Sequence, residues 1–147
     1  MSKPKEWKDY PKVTGDSAKQ RAERGWCDRD TFSFDYYLCR VLAGYFNDKR
    51  NFPGWPVSFY YNGDIYVDNS FSGRAHKERD EEIGVIYYDT DKLQKLWRRT
   101  CKLMRNGFRA GAKMINGEGT LEEDEEWHAL LQDALEHFKR NFLTLWN

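Results

Sequence analysis

Residues Gly25–Phe46 read GWCDRDTFSFDYYLCRVLAGYF, the most apolar run in an otherwise polar chain. Its large side chains fall at Phe34, Tyr37, Leu38, Val41, Leu42 and Tyr45, the three-and-four spacing of a helix with one buried face. Asp28 and Asp30 stand ahead of that run. A carboxylate there accepts bonds from unpaired backbone N–H groups and meets the positive end of the helix dipole. The stretch predicts a core helix over 28–48.

Downstream, Asn51-Phe52-Pro53-Gly54-Trp55-Pro56 ends that helix, because proline disfavours the helical conformation in the residue before it. Val57–Tyr61, Asn62-Gly63 and Asp64–Asp68 form a hairpin signal, since Asn-Gly supplies the two positive-φ positions of a tight turn. A third extended run is IGVIYY at 83–88. These segments predict a small antiparallel β insertion, a hairpin or meander, over 57–89. A polar loop at 69–82 carries Arg74 and His76 and is the longest connection in this part of the chain.

Two more long helices follow. Over 91–115, Leu93, Leu96, Trp97, Thr100, Leu103, Met104, Gly107, Phe108 and Ile115 share one side, taking 100° per residue. Lys92, Lys95, Arg98, Arg99, Lys102, Arg105, Arg109 and Lys113 share the other, within an arc of roughly 140°. Gly107 and Gly111 each cost about 1 kcal/mol against alanine, which a closely approaching backbone would justify. Asn116–Gly119 is a turn, and Thr120 with Glu123 is a capping box for a last helix over 120–146.

Residues 1–24 are rich in Lys, Asp and Glu, hold Pro4, Pro11 and Gly15, and show no apolar period. They predict an irregular arm, with at most a short helical turn before Gly25. Trp7 and Tyr10 give that arm two aromatics that could dock on the body of the protein or on a partner. The remaining 25–147 suit one globular domain. The fold class is thus α+β, mainly helical, with three long helices and a small antiparallel β insertion.

The chain has 147 residues, 24 Lys plus Arg and 24 Asp plus Glu. A balanced total gives no argument for nucleic acid or membrane, so any such argument rests on where charges lie. Aromatics make up 16% and carry most of the expected core. Cys27, Cys39 and Cys101 are odd in number and lack paired zinc or redox spacing, as expected of free thiols in a reducing cytoplasm. No stretch has the roughly 20 apolar residues of a membrane span, and MSKPKEWKDY lacks the apolar segment of a secretory signal. The expected location is cytoplasmic.

Gly25, Trp26, Asp28, Asp30, Phe32, Asp35, Tyr37, Leu38, Val41, Leu42 and Ala43, the turn Pro53–Pro56 and the ending Phe142-Leu143-Thr144-Leu145-Trp146-Asn147 carry a resemblance. The chain resembles a family of small phage and prophage proteins with a Gly-aromatic-Ser-Asp-x-Asp-aromatic-x-Leu-Asp-x-x-Leu-Ala opening and a Phe-x-x-Leu-Trp-Asp close. Cys27 stands where that family has Ser, and Asn147 where it has Asp. The resemblance implies a phage-like source and a role in the host bacterial cytoplasm. It transfers no catalytic residue.

Asp35 sits among aromatics, where an ionised carboxylate needs a partner, and is expected to be a buried polar anchor. Glu125 and His128 have the i, i+3 spacing that di-metal bundles use twice; here it occurs once. No phosphate-binding glycine loop or Gly-x-Ser-x-Gly is present. No metal, no cofactor and no catalytic residue is expected. The candidate contact surface is Lys92, Lys95, Arg98, Arg99, Lys102 and Arg105, with Arg74 and His76 of the loop. The leading expectation is a non-enzymatic accessory protein that binds, and could inhibit, a host or phage protein of acidic character. Binding of nucleic acid or a nucleotide through the same face is the alternative, and an enzyme of unknown type the third. An oligomer is compatible with all three.

Overall fold

The structure, a computed structural model, describes residues 16–31, 33–70, 79–80 and 84–145. Trp7, Tyr10, Phe32, Arg74, His76 and Trp146 lie outside the described residues. In chain order the elements are α1 (Asp16–Arg24), a 3-10 turn (Asp28–Thr31), α2 (Phe34–Asn51), β1 (Ser58–Tyr61) and β2 (Asp64–Asp68). There follow β3 (Arg79–Asp80), β4 (Val85–Tyr88), α3 (Thr90–Ile115), α4 (Leu121–Asn141) and a 3-10 turn at Phe142–Thr144. This is an α+β fold, mainly helical.

The axis of the fold is α3. Asp89 caps it, its carboxylate accepting from the Lys92 N–H at 2.9 Å. α2 runs antiparallel to α3, since Phe46 meets Phe108 with ring centroids 6.1 Å apart while Cys39 lies at Gly111. α4 also runs antiparallel to α3, Ala134 lying at Gly107 and Trp127 at Lys113. Gly111 is the point where all three helices converge. A Cβ built there would stand 2.8 Å from Leu131 Cδ1 and 3.2 Å from Cys39 Sγ. The glycine pair therefore has the packing reason that its cost in helix propensity required.

Aromatic rings fill the space between the helices. Phe138 stands edge-on to Phe46 and Phe108, at 6.1 and 5.9 Å, in the geometry the ring quadrupole favours. Phe46 and Phe108, both fully buried, each contribute about 1.5–3 kcal/mol. On the sheet side, buried Phe59, Tyr66 and Ile86 cover Leu93 and Trp97 of α3, and the Phe59–Trp97 centroids are 5.1 Å apart.

The sheet order is β1-β2-β4-β3. β1 and β2 pair antiparallel around Asn62 (φ 45°) and Gly63 (φ 91°), the hairpin read from Asn-Gly. β4, however, pairs parallel to β2, Ile65 facing Val85 and Asp68 facing Tyr88, so the sheet is mixed rather than an antiparallel meander. A parallel neighbour requires a crossover of a dozen or more residues. The long connection after Asp68 has that length.

Three boundaries differ from the sequence reading. α1 is a helix of nine residues where an irregular arm was expected. It has no apolar period because polar bonds hold it: Gln20 Nε2 donates to Asp28 at 2.9 Å, and Arg21 donates to Asp30. α2 starts at Phe34 rather than near Asp28, because Asp30 turns back to accept from the Cys27 N–H at 2.8 Å. α4 ends at Asn141 and tightens into the 3-10 turn.

The face of α2 also differs. Phe34, Leu38, Val41 and Tyr45 are exposed, whereas Cys39, Ala43 and Phe46 are buried. The helix carries two apolar stripes, and the one with small residues faces α3. Cys39 and Ala43 let the two helices approach at Gly111; Leu38 and Val41 in their place would hold the backbones apart.

Candidate functional site

α3 is unbroken over 26 residues. At 1.5 Å per residue, its cationic side extends about 32 Å from Lys92 to Lys113. Lys92, Lys95, Arg98, Arg99, Lys102, Arg109 and Lys113 are exposed. Among the described residues, no ion pair joins any of these seven, or Arg105, to a carboxylate. The acidic first turns of α4 lie toward the Lys113 end of α3. There Lys113 Nζ stands 5.9 Å from the Trp127 ring centroid instead of meeting a glutamate. At the other end, Lys92 Nζ stands 5.7 Å from the Tyr88 ring.

Midway along, Arg98, Arg99 and Lys102 join Arg50 and Asn51 around an open depression of about 520 Å³. Arg50 comes from the last turn of α2, delivered beside α3 by the antiparallel packing. The sequence reading missed it, although Lys49-Arg50 before the Pro53 break was a visible basic helix end. Arg105 stands apart from the open stripe. It is half-buried, donating to Asn47 Oδ1 at 3.0 Å and to Asn106 Oδ1 at 3.0 and 3.1 Å. Burial lowers its pKa, and the like charges of Arg50 and Arg109 lower it further. Arg50, Arg105 and Arg109 thus lie near enough to repel one another, and an approaching anion relieves such a field.

Asp35 is not the buried anchor expected. It is exposed in the first turn of α2 and accepts from the Tyr36 N–H at 2.8 Å. With α2 beginning at Phe34, Asp35 sits at a helix start, where its charge meets the dipole and water. The buried, charged anchor is Asp30, which receives Arg21 Nε at 2.9 Å and Nη2 at 2.7 Å. These bonds outweigh burial and hold its carboxyl well below the usual range.

Cys27, Cys39 and Cys101 are buried free thiols. Burial pushes Cys101 up to about 12, against the pull of Lys49 and Arg50, and a neutral thiol is a poor nucleophile. His128 is exposed, and its ring lies 3.5 Å from Gln132. Among the described residues, no group of three or more His, Cys, Asp or Glu is placed to hold a metal ion. No described helix is long and apolar enough to cross a membrane. Comparison with protein-family models, with curated proteins and with solved structures finds no match for this chain.

Proposed function

We propose that this chain is a non-enzymatic accessory protein, phage-like in source, that binds an acidic surface of a host or phage protein through the open face of α3. The observation that carries the reading is the set of exposed cations from Lys92 to Lys102, joined by Arg50 and without a described carboxylate partner. A continuous cationic helix face is complementary to an acidic ridge or helix, and such complementarity steers encounter and selects partners. Trp97 and Phe108 of α3 are buried, and the rings beside the stripe, Tyr88 and Trp127, stand only at its two ends, by Lys92 and Lys113. Single-stranded nucleic acid uses a run of rings together with cations, and we rank it second.

The test is capture from nuclease-treated bacterial lysate by the wild-type protein and by a variant carrying Arg98→Glu, Arg99→Glu and Lys102→Glu. The expected result is one defined acidic protein held by the wild type and lost by the variant. If the same protein is held equally by both, the α3 face is not the contact. If retention occurs only without nuclease and falls steeply with salt, nucleic acid is the partner instead.

A further inference from the structure

A second cationic site lies at the opposite end of α2, outside the surface described above. A half-enclosed cavity of about 370 Å³ is lined by Arg21, Arg29, Asp30, Ser33, Tyr36 and Arg40, and closed by Ile115 and Asn116 at the end of α3. A neighbouring depression of about 250 Å³ shares Arg21, Asp30, Tyr36 and Arg40 and adds Tyr37 and Val41. The charges are unequal. Arg21 is neutralised by its two bonds to Asp30. Arg29 is exposed with no carboxylate among the described residues. Arg40 has the Tyr36 ring as its neighbour, 5.8 Å from the centroid. Arg29 and Arg40 thus line the cavity outside any described ion pair, while the Glu118 carboxylate, which accepts from Asn116 Nδ2 at 3.2 Å, adjoins the lining without joining either arginine.

We infer that this cavity binds a small phosphate monoester. Two guanidinium groups offer the planar donor forks that match phosphate oxygens. A phosphate monoester carries about −1.5 to −2 at pH 7 and has oxygens enough for both guanidinium groups, whereas a single carboxylate brings one charge and two oxygens. Ser33, the residue ahead of α2, uses its hydroxyl for no cap bond and supplies a further donor at the cavity wall. At about 370 Å³ the main cavity is larger than a bare phosphate fills and is in the range of small-molecule sites. The remainder is lined by the Tyr36 ring and Ile115, with Tyr37 and Val41 in the adjoining depression. That is a surface for the ring of a sugar or base. Arg21 and Asp30 are the positioning pair: Arg21 is held by its two bonds to Asp30 and lies over Tyr37, centroid distance 5.0 Å, so this part of the wall is set by the protein's own contacts.

The experiment is titration calorimetry of the purified protein with AMP, ribose 5-phosphate and adenosine. AMP or ribose 5-phosphate is expected to bind, and adenosine, which lacks the phosphate, is not. Arg29→Gln and Arg40→Gln should each weaken binding about tenfold or more. Because both side chains are exposed, an unchanged thermal midpoint should accompany that loss. Arg98→Gln with Arg99→Gln should leave binding as it was, separating this site from the α3 face. The inference is overturned by no heat with either phosphate compound at millimolar concentration, by adenosine binding as well as AMP, or by arginine variants that bind like the wild type.

Discussion

A Cβ built on Gly107 would lie 2.3 Å from the Cβ of Ala134 and 2.4 Å from the carbonyl oxygen of Leu130. The backbones of α3 and α4 are therefore in contact at this point, and no rotamer change can make room. Gly107→Ala gains about 1 kcal/mol in helix propensity but forces the helices apart, an overpacking that costs up to about 3 kcal/mol or more. The expected net loss is about 2 kcal/mol, read as a lower urea midpoint. Gly111→Ala meets the flexible end of Leu131 instead and should cost less. Equal stability of Gly107→Ala and wild type would show that the helices do not pack this closely.

Asn141 links α4 to the sheet. Its Oδ1 accepts from the Tyr60 N–H at 2.8 Å and its Nδ2 donates to the Tyr60 carbonyl at 2.9 Å. The amide thus satisfies the open edge of β1 as another strand would. One turn earlier, His137 Nε2 accepts from the Asn62 N–H at 3.1 Å. Asn141→Ala leaves two backbone groups without their partner at a buried contact, so a loss of about 2–4 kcal/mol is expected. Asn141→Asp should also be destabilising, because a carboxylate cannot donate to the Tyr60 carbonyl. A chemical denaturation series over the three proteins checks both.

Stability should depend on Asp30 at acid pH. Its carboxyl is held low chiefly by the bonds from Arg21, with the Cys27 N–H adding and burial opposing. The folded state therefore takes up this proton less readily than the unfolded chain. Its contribution is complete above the unfolded value near pH 4 and fades as pH falls through the lower folded value. Wild type should lose its advantage over Asp30→Asn progressively as pH falls below about 4, the gap in unfolding free energy narrowing all the way down the acid range without closing by about pH 2. A constant gap across that range would mean that Asp30 is not ion-paired.

The thiols should be silent in the native protein. Cys101 is buried with its pKa raised to about 12, and burial raises Cys39 as well. A disulfide reagent at pH 8 is expected to label Cys101 only at the rate of global unfolding and to count three thiols at once in denaturant. Rapid labelling of Cys101 in buffer would show that α3 is open on its α2 side.

Reversing the charge of Arg98, Arg99 and Lys102 should leave the fold alone. All three are exposed, and surface substitutions of this kind change stability by roughly 0.5 kcal/mol or less. A thermal midpoint within a few degrees of wild type is expected, so that loss of partner capture reads as loss of contact.

Local signals along the chain determine α3, the capping box of Thr120 and Glu123 and the Asn62-Gly63 turn, because caps, turn residues and a sharp two-sided pattern act within a few residues of each other. The cationic side of α3 was legible for the same reason. Which stripe of α2 faces inward was not, since Leu38 and Val41 are better apolar residues than Cys39 and Ala43. Only Gly111, some seventy positions away, makes small residues the right fit. Nor could spacing show that Arg50 would stand beside Arg99, that Asn141 would close the edge of β1, or that Arg29 and Arg40 would share a cavity with the end of α3. Those pairings depend on which surfaces the helices bring together, and close packing settles that across the chain rather than along it.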